Sequence, residues 1–123
     1  MFVGRAQEAI DLYTTTFADA YVGSMSTYPA EGPGAPGTVS LAVLVLGSQE
    51  LVLIDSPVHH DFMFTPAMSL LVEFDARAEL DSAFSALAEG GRIHMPLGAY
   101  VFSERFGWLQ DRFGVSWQLG LAP

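Results

Sequence analysis

The predicted elements run in the order strand, helix, three strands twice along the chain, and this repeat constrains the fold more than any other feature. The first set is predicted at residues 2–3, 5–17, 21–28, 39–46 and 51–55. The second set is predicted at residues 67–74, 76–88, 92–95, 100–110 and 115–121. Because each set alone has too few strands to cover one face of a sheet, the repeat predicts two βαβββ modules, about 1–57 and 66–123, in a single domain, 1–123. Side by side, they form an α+β fold: a curved mixed sheet with helices outside and a concave face inside.

Helical periodicity and turn residues support these assignments. Ala6, Ile10, Tyr13 and Phe17 recur at helical spacing in the first helix. Asp75 is predicted to cap the second helix, and Gly90-Gly91 to end it in a left-handed conformation. Two strands are predicted to form a hairpin around Gly47-Ser48-Gln49, whereas residues 29–37 and 56–66 are predicted to be irregular.

Charge and composition exclude several classes of partner. The net charge is −9, from 14 acidic residues against five Lys and Arg, so a nucleic acid would be repelled. We expect no membrane association, since no apolar run reaches the roughly 20 residues that span a bilayer. The chain has no cysteine and its start lacks signal-peptide features, so we expect a cytoplasmic protein. Only 15% of residues are charged, which favours a homodimer that buries apolar surface.

Three segments resemble one protein family. Residues 2–13, with the pattern Ala-x-x-Ala-Ile-x-x-Tyr, are similar to the opening of PhnB-like proteins, and residues 106–119 are similar to their closing segment. Residues 56–66 resemble the middle of one branch. PhnB-like proteins, some labelled 3-demethylubiquinone 3-methyltransferase, form a group of the vicinal-oxygen-chelate superfamily, which includes glyoxalases, bleomycin-resistance proteins and dioxygenases. The resemblance implies paired βαβββ modules, frequent dimerisation and a small-molecule cavity in the curved sheet.

In metal-dependent relatives, His, Gln or Glu side chains from four strands bind a divalent cation in that cavity. The resemblance places the corresponding positions before Met1, near Asp55, near Met68 and at Gln118. One carboxylate, one thioether and one amide are a poor ligand set for a catalytic divalent ion. We therefore expect no bound metal. We also expect no cofactor, because no Gly-rich loop follows a strand and opens a helix with an acidic residue downstream.

Other polar and aromatic residues are candidates for binding a ligand. His59-His60-Asp61 lies in the second irregular stretch, where His60 either is solvated at the rim of the cavity or binds a ligand. Alternation in the last strand places Gln118 on the concave face and Trp117 against the helices. Gln118 either orients a ligand or hydrogen-bonds the neighbouring hairpin, and Trp108 either lines or fills the cavity.

The sequence therefore predicts a PhnB-like protein that binds a small, partly apolar molecule through Asp55, His60, Met68, Trp108 and Gln118. Two alternatives remain open. One is an enzyme, a lyase, isomerase or transferase of the glyoxalase superfamily, and the other is a drug-sequestering resistance-type protein. Fold alone does not choose among them, because function depends on the site.

Overall fold

The computed structural model describes all residues, 1–123, and the chain divides into two compact units, residues 1–61 and 62–123. The division falls inside the irregular stretch 56–66. Each unit contains one helix packed on one sheet. Neither helix is long and apolar enough to cross a membrane.

Unit 1 contains a helix on a three-stranded antiparallel sheet. Its elements are α1 (Ala6–Thr16), β1 (Tyr21–Thr27), β2 (Val39–Leu46) and β3 (Gln49–Leu53), with the strand order β1-β2-β3. The apolar stripe of α1, which includes Ile10 and Tyr13, is buried, as are Ala42 and Leu44 of β2. Phe2 forms a parallel bridge with Asp55, just beyond β3.

Unit 2 contains a helix on a four-stranded mixed sheet. Its elements are β4 (Leu70–Phe74), α2 (Arg77–Ala88), β5 (Arg92–Tyr100), β6 (Ser103–Gln110) and β7 (Ser116–Leu121). The strand order is β4-β7-β6-β5, with β4 parallel to β7 and the other pairs antiparallel. Helix α2 buries Leu80, Ala83, Phe84 and Leu87.

The two units share one topology. In unit 2 the first strand lies parallel to the last, and in unit 1 the Phe2 stub lies parallel to the segment that follows the last strand. Each unit then continues from its last strand through the two preceding strands in reverse order. The βαβββ repeat and the α+β class predicted from the sequence are therefore confirmed.

Strand β5 is longer than the sequence prediction. It continues from Arg92 through Pro96 to Tyr100, and a two-residue turn, Val101-Phe102, leads into β6. Proline removes a backbone donor, which disfavours it inside a strand. Here Pro96 is tolerated because β5 is an edge strand whose pairing with β6 is already irregular.

The ends of α2 confirm one capping prediction and correct another. Gly90 has φ = 73°, the left-handed conformation predicted to end the helix. The N-cap is Ala76, which makes no side-chain cap bond, so the assignment to Asp75 is wrong by one residue. In unit 1 the β2–β3 turn is Gly47-Ser48 alone, with Gly47 at φ = 60°, the first position of a type II′ turn, and Gln49 already in β3.

Candidate functional site

Two rows of side chains cross the face of the unit 2 sheet opposite α2. The strand register aligns Leu71, Gln118, Trp108 and Met95 in the first row. Glu73, Gly120 and Phe106 are aligned in the second row, one pleat period away. The alternate residues of β7, Trp117 and Leu119, are fully buried on the other face.

These two rows form the floor of a cavity of ≈ 960 Å³. The β5–β6 turn, Tyr100 to Ser103, and the last residues, Leu121 to Pro123, extend its walls, with Ala99 and Glu104 beside the turn. All lining residues belong to unit 2. The volume lies in the range of sites for drug-sized molecules.

Three aromatic rings form one wall at the hairpin turn. The ring centroids of Tyr100 and Phe102 are 5.7 Å apart in a stacked arrangement, and those of Phe102 and Phe106 are 4.9 Å apart, edge to face. The Tyr100 hydroxyl donates a 2.6 Å hydrogen bond to the Pro96 carbonyl. These ring contacts pack the three aromatic side chains of the wall against one another.

Trp108 is held in place by contacts on two sides. Its Nε1 donates a 2.9 Å hydrogen bond to Ser116 Oγ, which is 2.6 Å from Ser69 Oγ. Its ring lies 4.6 Å from the His94 ring, and His94 Nε2 is 2.8 Å from Gln110 Oε1. Because the indole donor is already satisfied, Trp108 offers the cavity an apolar surface of fixed orientation.

Gln118 offers the cavity an amide that no other group of the chain uses. It is half-buried between Leu71 and Trp108, and its side chain makes no hydrogen bond within the chain. No buried polar side-chain atom lacks a partner, so the amide is open to the cavity. An amide donates and accepts hydrogen bonds, which lets Gln118 orient a polar group of a ligand.

Two carboxylates, Glu73 and Glu104, are the charged groups of the cavity lining. Both are exposed and neither forms an ion pair with an arginine or histidine. Arg105, the neighbour of Glu104, alternates to the helix side and pairs with Asp81 of α2. The lining therefore carries negative charge without a cation to balance it.

Of the five residues predicted to bind a ligand, Trp108 and Gln118 line this cavity as register partners on β6 and β7. Met68 precedes β4, is 78% exposed and lies outside the lining. His60 belongs to unit 1, where its Nε2 is 3.0 Å from Ser56 Oγ. The neighbouring His59 is exposed, 3.8 Å from Asp61.

Asp55 has a structural environment in unit 1. It is 3% exposed, and its Oδ1 accepts a 3.0 Å hydrogen bond from the Ala6 backbone N–H. Its Oδ2 accepts a 2.9 Å bond from the Val39 N–H. The carboxylate therefore joins the start of α1 and the start of β2, and both of its oxygens are in use.

The metal that the sequence resemblance implies does not fit the residues present. Asp55 is bonded to backbone donors, Met68 is a thioether in solvent, and Gln118 is neutral. No group of three or more His, Asp or Glu residues comes together to hold an ion. A Gly-rich cofactor loop is also absent between β4 and α2, where the connection is Asp75-Ala76.

Sequence reasoning did not select Glu73, Phe106 or the Tyr100–Phe102 pair. Glu73 could have been selected from the sequence, because it is the one charged residue in an otherwise apolar strand and is two residues from Leu71, on the same face. The aromatic wall could not be predicted from the sequence, because it depends on β5 continuing through Pro96 to the turn.

Comparisons with known proteins agree on the family. The family model of 3-demethylubiquinone-9 3-methyltransferase matches residues 1–120. A PhnB protein from Bacillus cereus, described with the same methyltransferase name, is 52% identical, with a TM-score of 0.95 over 99% of this chain and 95% of that chain. A protein from Pseudomonas aeruginosa is 30% identical, with a TM-score of 0.82 over 98% of this chain and 91% of that chain.

A more distant likeness is informative about the fold alone. The fosfomycin resistance protein FosX from Listeria monocytogenes, solved with Mn(II) and a dihydroxypropylphosphonic acid, is 10% identical. Its TM-score is 0.66 over 100% of this chain and 88% of that chain. No curated protein matches the chain. The chain belongs to the 3-demethylubiquinone-9 3-methyltransferase (PhnB) family.

Proposed function

We propose that this PhnB-family chain binds a small, partly apolar molecule in the cavity of unit 2. The observation that carries the proposal is the pairing of Trp108 with Gln118 across β6 and β7. Trp108 presents a fixed apolar surface, and Gln118 presents an unused amide beside it. A mostly apolar cavity with a few convergent polar groups is typical of ligand sites.

The apolar lining provides the affinity and Gln118 provides the orientation. Covering the rings of Trp108 and Phe102 and the side chain of Leu71 removes apolar surface from water, at about 25 cal/mol per Å². Leu71 is 62% exposed in the free chain, so a ligand can gain from covering it. The Gln118 amide then selects ligands that carry a polar group at one end.

The site supports binding rather than the chemistry of the metal-containing relative. The FosX structure contains Mn(II) and a phosphonic acid. Here the chain brings together no cluster of metal ligands, and no arginine or histidine lines the cavity to meet a phosphonate.

We further propose that the protein is a cytoplasmic homodimer. Large apolar side chains are exposed on β1 and on the sheet around it, among them Tyr21, Met25, Leu41 and Val52. Every residue of β1 is exposed, and the strand has one unpaired edge and no charged residue. A second copy of the chain would cover such an edge.

Binding can be tested with N-phenylnaphthylamine, an uncharged aromatic dye that becomes fluorescent in apolar sites. We expect the full-length protein to raise its fluorescence with saturation. Trp108→Ala should weaken binding about tenfold because it removes an aromatic contact surface. Gln49→Ala, at the exposed start of β3, is the surface control and should bind as the unmodified protein does.

Thermal unfolding of each variant establishes that it is folded before binding is compared. No fluorescence rise with the unmodified protein would contradict the proposed function. An unchanged affinity in Trp108→Ala would show that the dye binds elsewhere.

The proposed binding requires no metal. We expect protein purified without chelators to contain far less than one divalent ion per chain, because Asp55, Met68 and Gln118 do not form a ligand set. Elemental analysis after dialysis measures this. About one zinc, nickel, iron or manganese ion per chain, together with a higher melting temperature when that ion is added, would overturn the expectation.

A further inference from the structure

We propose that the ligand of this cavity is an organic cation: an apolar, aromatic-compatible molecule that carries a positive charge. The inference rests on the proposed binding function and adds the chemical class of the ligand. It comes from the combination of unbalanced carboxylates and aromatic faces around one volume of ≈ 960 Å³.

The two carboxylates come from different strands on one face of the sheet. Glu73 lies on β4 and Glu104 on β6, and both line the cavity. The Lys and Arg residues of the protein are five arginines, at positions 5, 77, 92, 105 and 112, and none lines it. With a net charge of −9, the rest of the chain adds to the negative potential, so a cation is attracted and an anion repelled.

The aromatic residues favour a cation of a particular kind. Tyr100, Phe102, Phe106 and Trp108 all line the cavity, and the face of each ring carries partial negative charge. A weakly hydrated organic ammonium, phosphonium or guanidinium gains from such faces, whereas a small metal ion prefers oxygen ligands. Aromatic walls and carboxylates therefore select the same charge, with an apolar body around it.

Gly120 lets the Phe106 ring lie against β7, in the same row as Glu73. The register places Glu73, Gly120 and Phe106 in one row across three strands, so the glycine separates the carboxylate from the ring. With strands about 4.8 Å apart, the Cα atoms of Glu73 and Phe106 are roughly 10 Å apart. A side chain at position 120 would push the Phe106 ring out of this row, since even a Cβ there would lie 3.4 Å from the ring.

A solvated acidic surface is the competing explanation of the two glutamates. Exposed carboxylates are common, and alone these two would not indicate a ligand. Here, however, they border an apolar floor instead of a polar surface, with Leu71 and Gln118 next to Glu73 in the lining. Water satisfies the carboxylates in the free protein, and a cation with an apolar body would satisfy both the carboxylates and the floor.

The test uses two probes of the same size and shape and opposite charge, tetraphenylphosphonium and tetraphenylborate. Each is titrated in sodium buffer against the full-length protein loaded with N-phenylnaphthylamine, and displacement of the neutral dye is read by fluorescence. We expect the phosphonium to displace the dye at a concentration at least tenfold lower than the borate. One charge pair in contact in water corresponds to about a fivefold effect, and two carboxylates act here.

Substitution of the carboxylates locates the preference. Glu73→Gln and Glu104→Gln should each reduce the phosphonium-to-borate preference about three- to fivefold, and the double variant should nearly abolish it. Glu89→Gln at the end of α2 removes the same charge from an exposed position outside the cavity and should leave the preference unchanged. Dye binding itself should persist in all of these variants, because the dye is uncharged.

The outcomes separate the two proposals. If the dye binds but both ions displace it equally, or the borate does so better, the cation inference is wrong and the binding function stands. If the preference falls as much in Glu89→Gln as in Glu73→Gln, it reflects overall charge and the inference is again wrong. If the dye does not bind and neither ion shifts the melting temperature, both proposals fail.

Discussion

Two buried aspartates, one in each unit, accept hydrogen bonds from backbone N–H groups through their side chains. In unit 1, Asp55 accepts hydrogen bonds from the N–H groups of Ala6 and Val39. In unit 2, Asp111 accepts bonds from the N–H groups of Phe113 and Val115, and from the Trp117 indole at 2.9 Å. Each carboxylate satisfies donors that would otherwise be buried without partners, and such donors are costly.

Asp55→Asn tests this structural role. The amide keeps one acceptor oxygen and places an NH₂ group against a backbone donor, so one buried N–H loses its partner. We expect the free energy of unfolding to fall by about 1–3 kcal/mol, measured by urea denaturation. Asp61→Asn, at a fully exposed side chain, should change it by less than about 0.5 kcal/mol. Equal stability of the two variants would show that the Asp55 bonds are dispensable.

Trp117 and Gln118 are neighbours with opposite roles, and alanine substitutions separate them. Trp117 is fully buried, so Trp117→Ala should cost about 3–5 kcal/mol through the cavity it leaves. Gln118 has no partner within the chain, so Gln118→Ala should stay within about 1 kcal/mol. Urea denaturation of both variants measures these two losses in the free energy of unfolding. A larger loss for Gln118→Ala would mean that the β7 register is wrong.

Alternation along a strand predicted the faces of β7 but misjudged the environment of Asp55. The pattern Ser116-Trp117-Gln118-Leu119 has one polar and one apolar set, so the two faces are readable from sequence. The bonds of Asp55 join it to residues 49 and 16 positions away. A local sequence pattern does not show where distant backbone donors meet. The sequence therefore could not distinguish a buried structural carboxylate from one that binds a metal or a small molecule.

At the scale of elements, α2 lies close to the unit 2 sheet because β6 carries a glycine beneath it. A Cβ at Gly107 would collide with the Phe84 ring, so the helix and the strand approach as closely as they do only without a side chain there. Phe84 and Leu87 of α2 are buried, and Leu109 is fully buried on the sheet. The close packing of α2 on the sheet thus depends on the absence of a side chain at Gly107.

Gly107→Ala should therefore destabilise the protein by about 1–3 kcal/mol, since a well-packed core resists added volume. Gly98→Ala, on β5, is the matched control and should be near neutral, because a Cβ there meets nothing within 4 Å. Combining Gly107→Ala with Phe84→Leu should recover part of the loss. A double variant whose loss is the sum of the two single losses would contradict the proposed contact.

The order of elements was predictable from the sequence, while the ends of elements depended on pairing. Helical spacing identified both helices, and glycine turns separated the strands of unit 1. The continuation of β5 through Pro96 required knowing that this strand lies at an edge. The aromatic wall of the cavity follows that proline in the chain. A prediction that ended β5 before Pro96 therefore could not include the wall among the site residues.

At the scale of the whole molecule, a low charge density coincides with an unprotected edge strand. Only 15% of the residues are charged, and β1, with the sequence YVGSMST, carries none of them. Its outer edge has unpaired backbone groups, and neither lysine nor proline protects it. Exposed apolar groups beside it, including Leu41 and Val52, enlarge the surface that association would cover.

A homodimer should therefore form at micromolar concentration, with twice the chain mass of 13.3 kDa by light scattering. Ser24→Lys places a charge in the exposed edge strand and should shift the mass towards the monomer, because edge strands with a lysine resist pairing. Ser82→Lys introduces the same charge at an exposed position of α2 and should leave the dimer intact. A dimer that survives Ser24→Lys would place the interface away from β1. A monomeric unmodified protein would mean that the apolar surface serves ligand binding or solvent contact instead, because no second copy covers it.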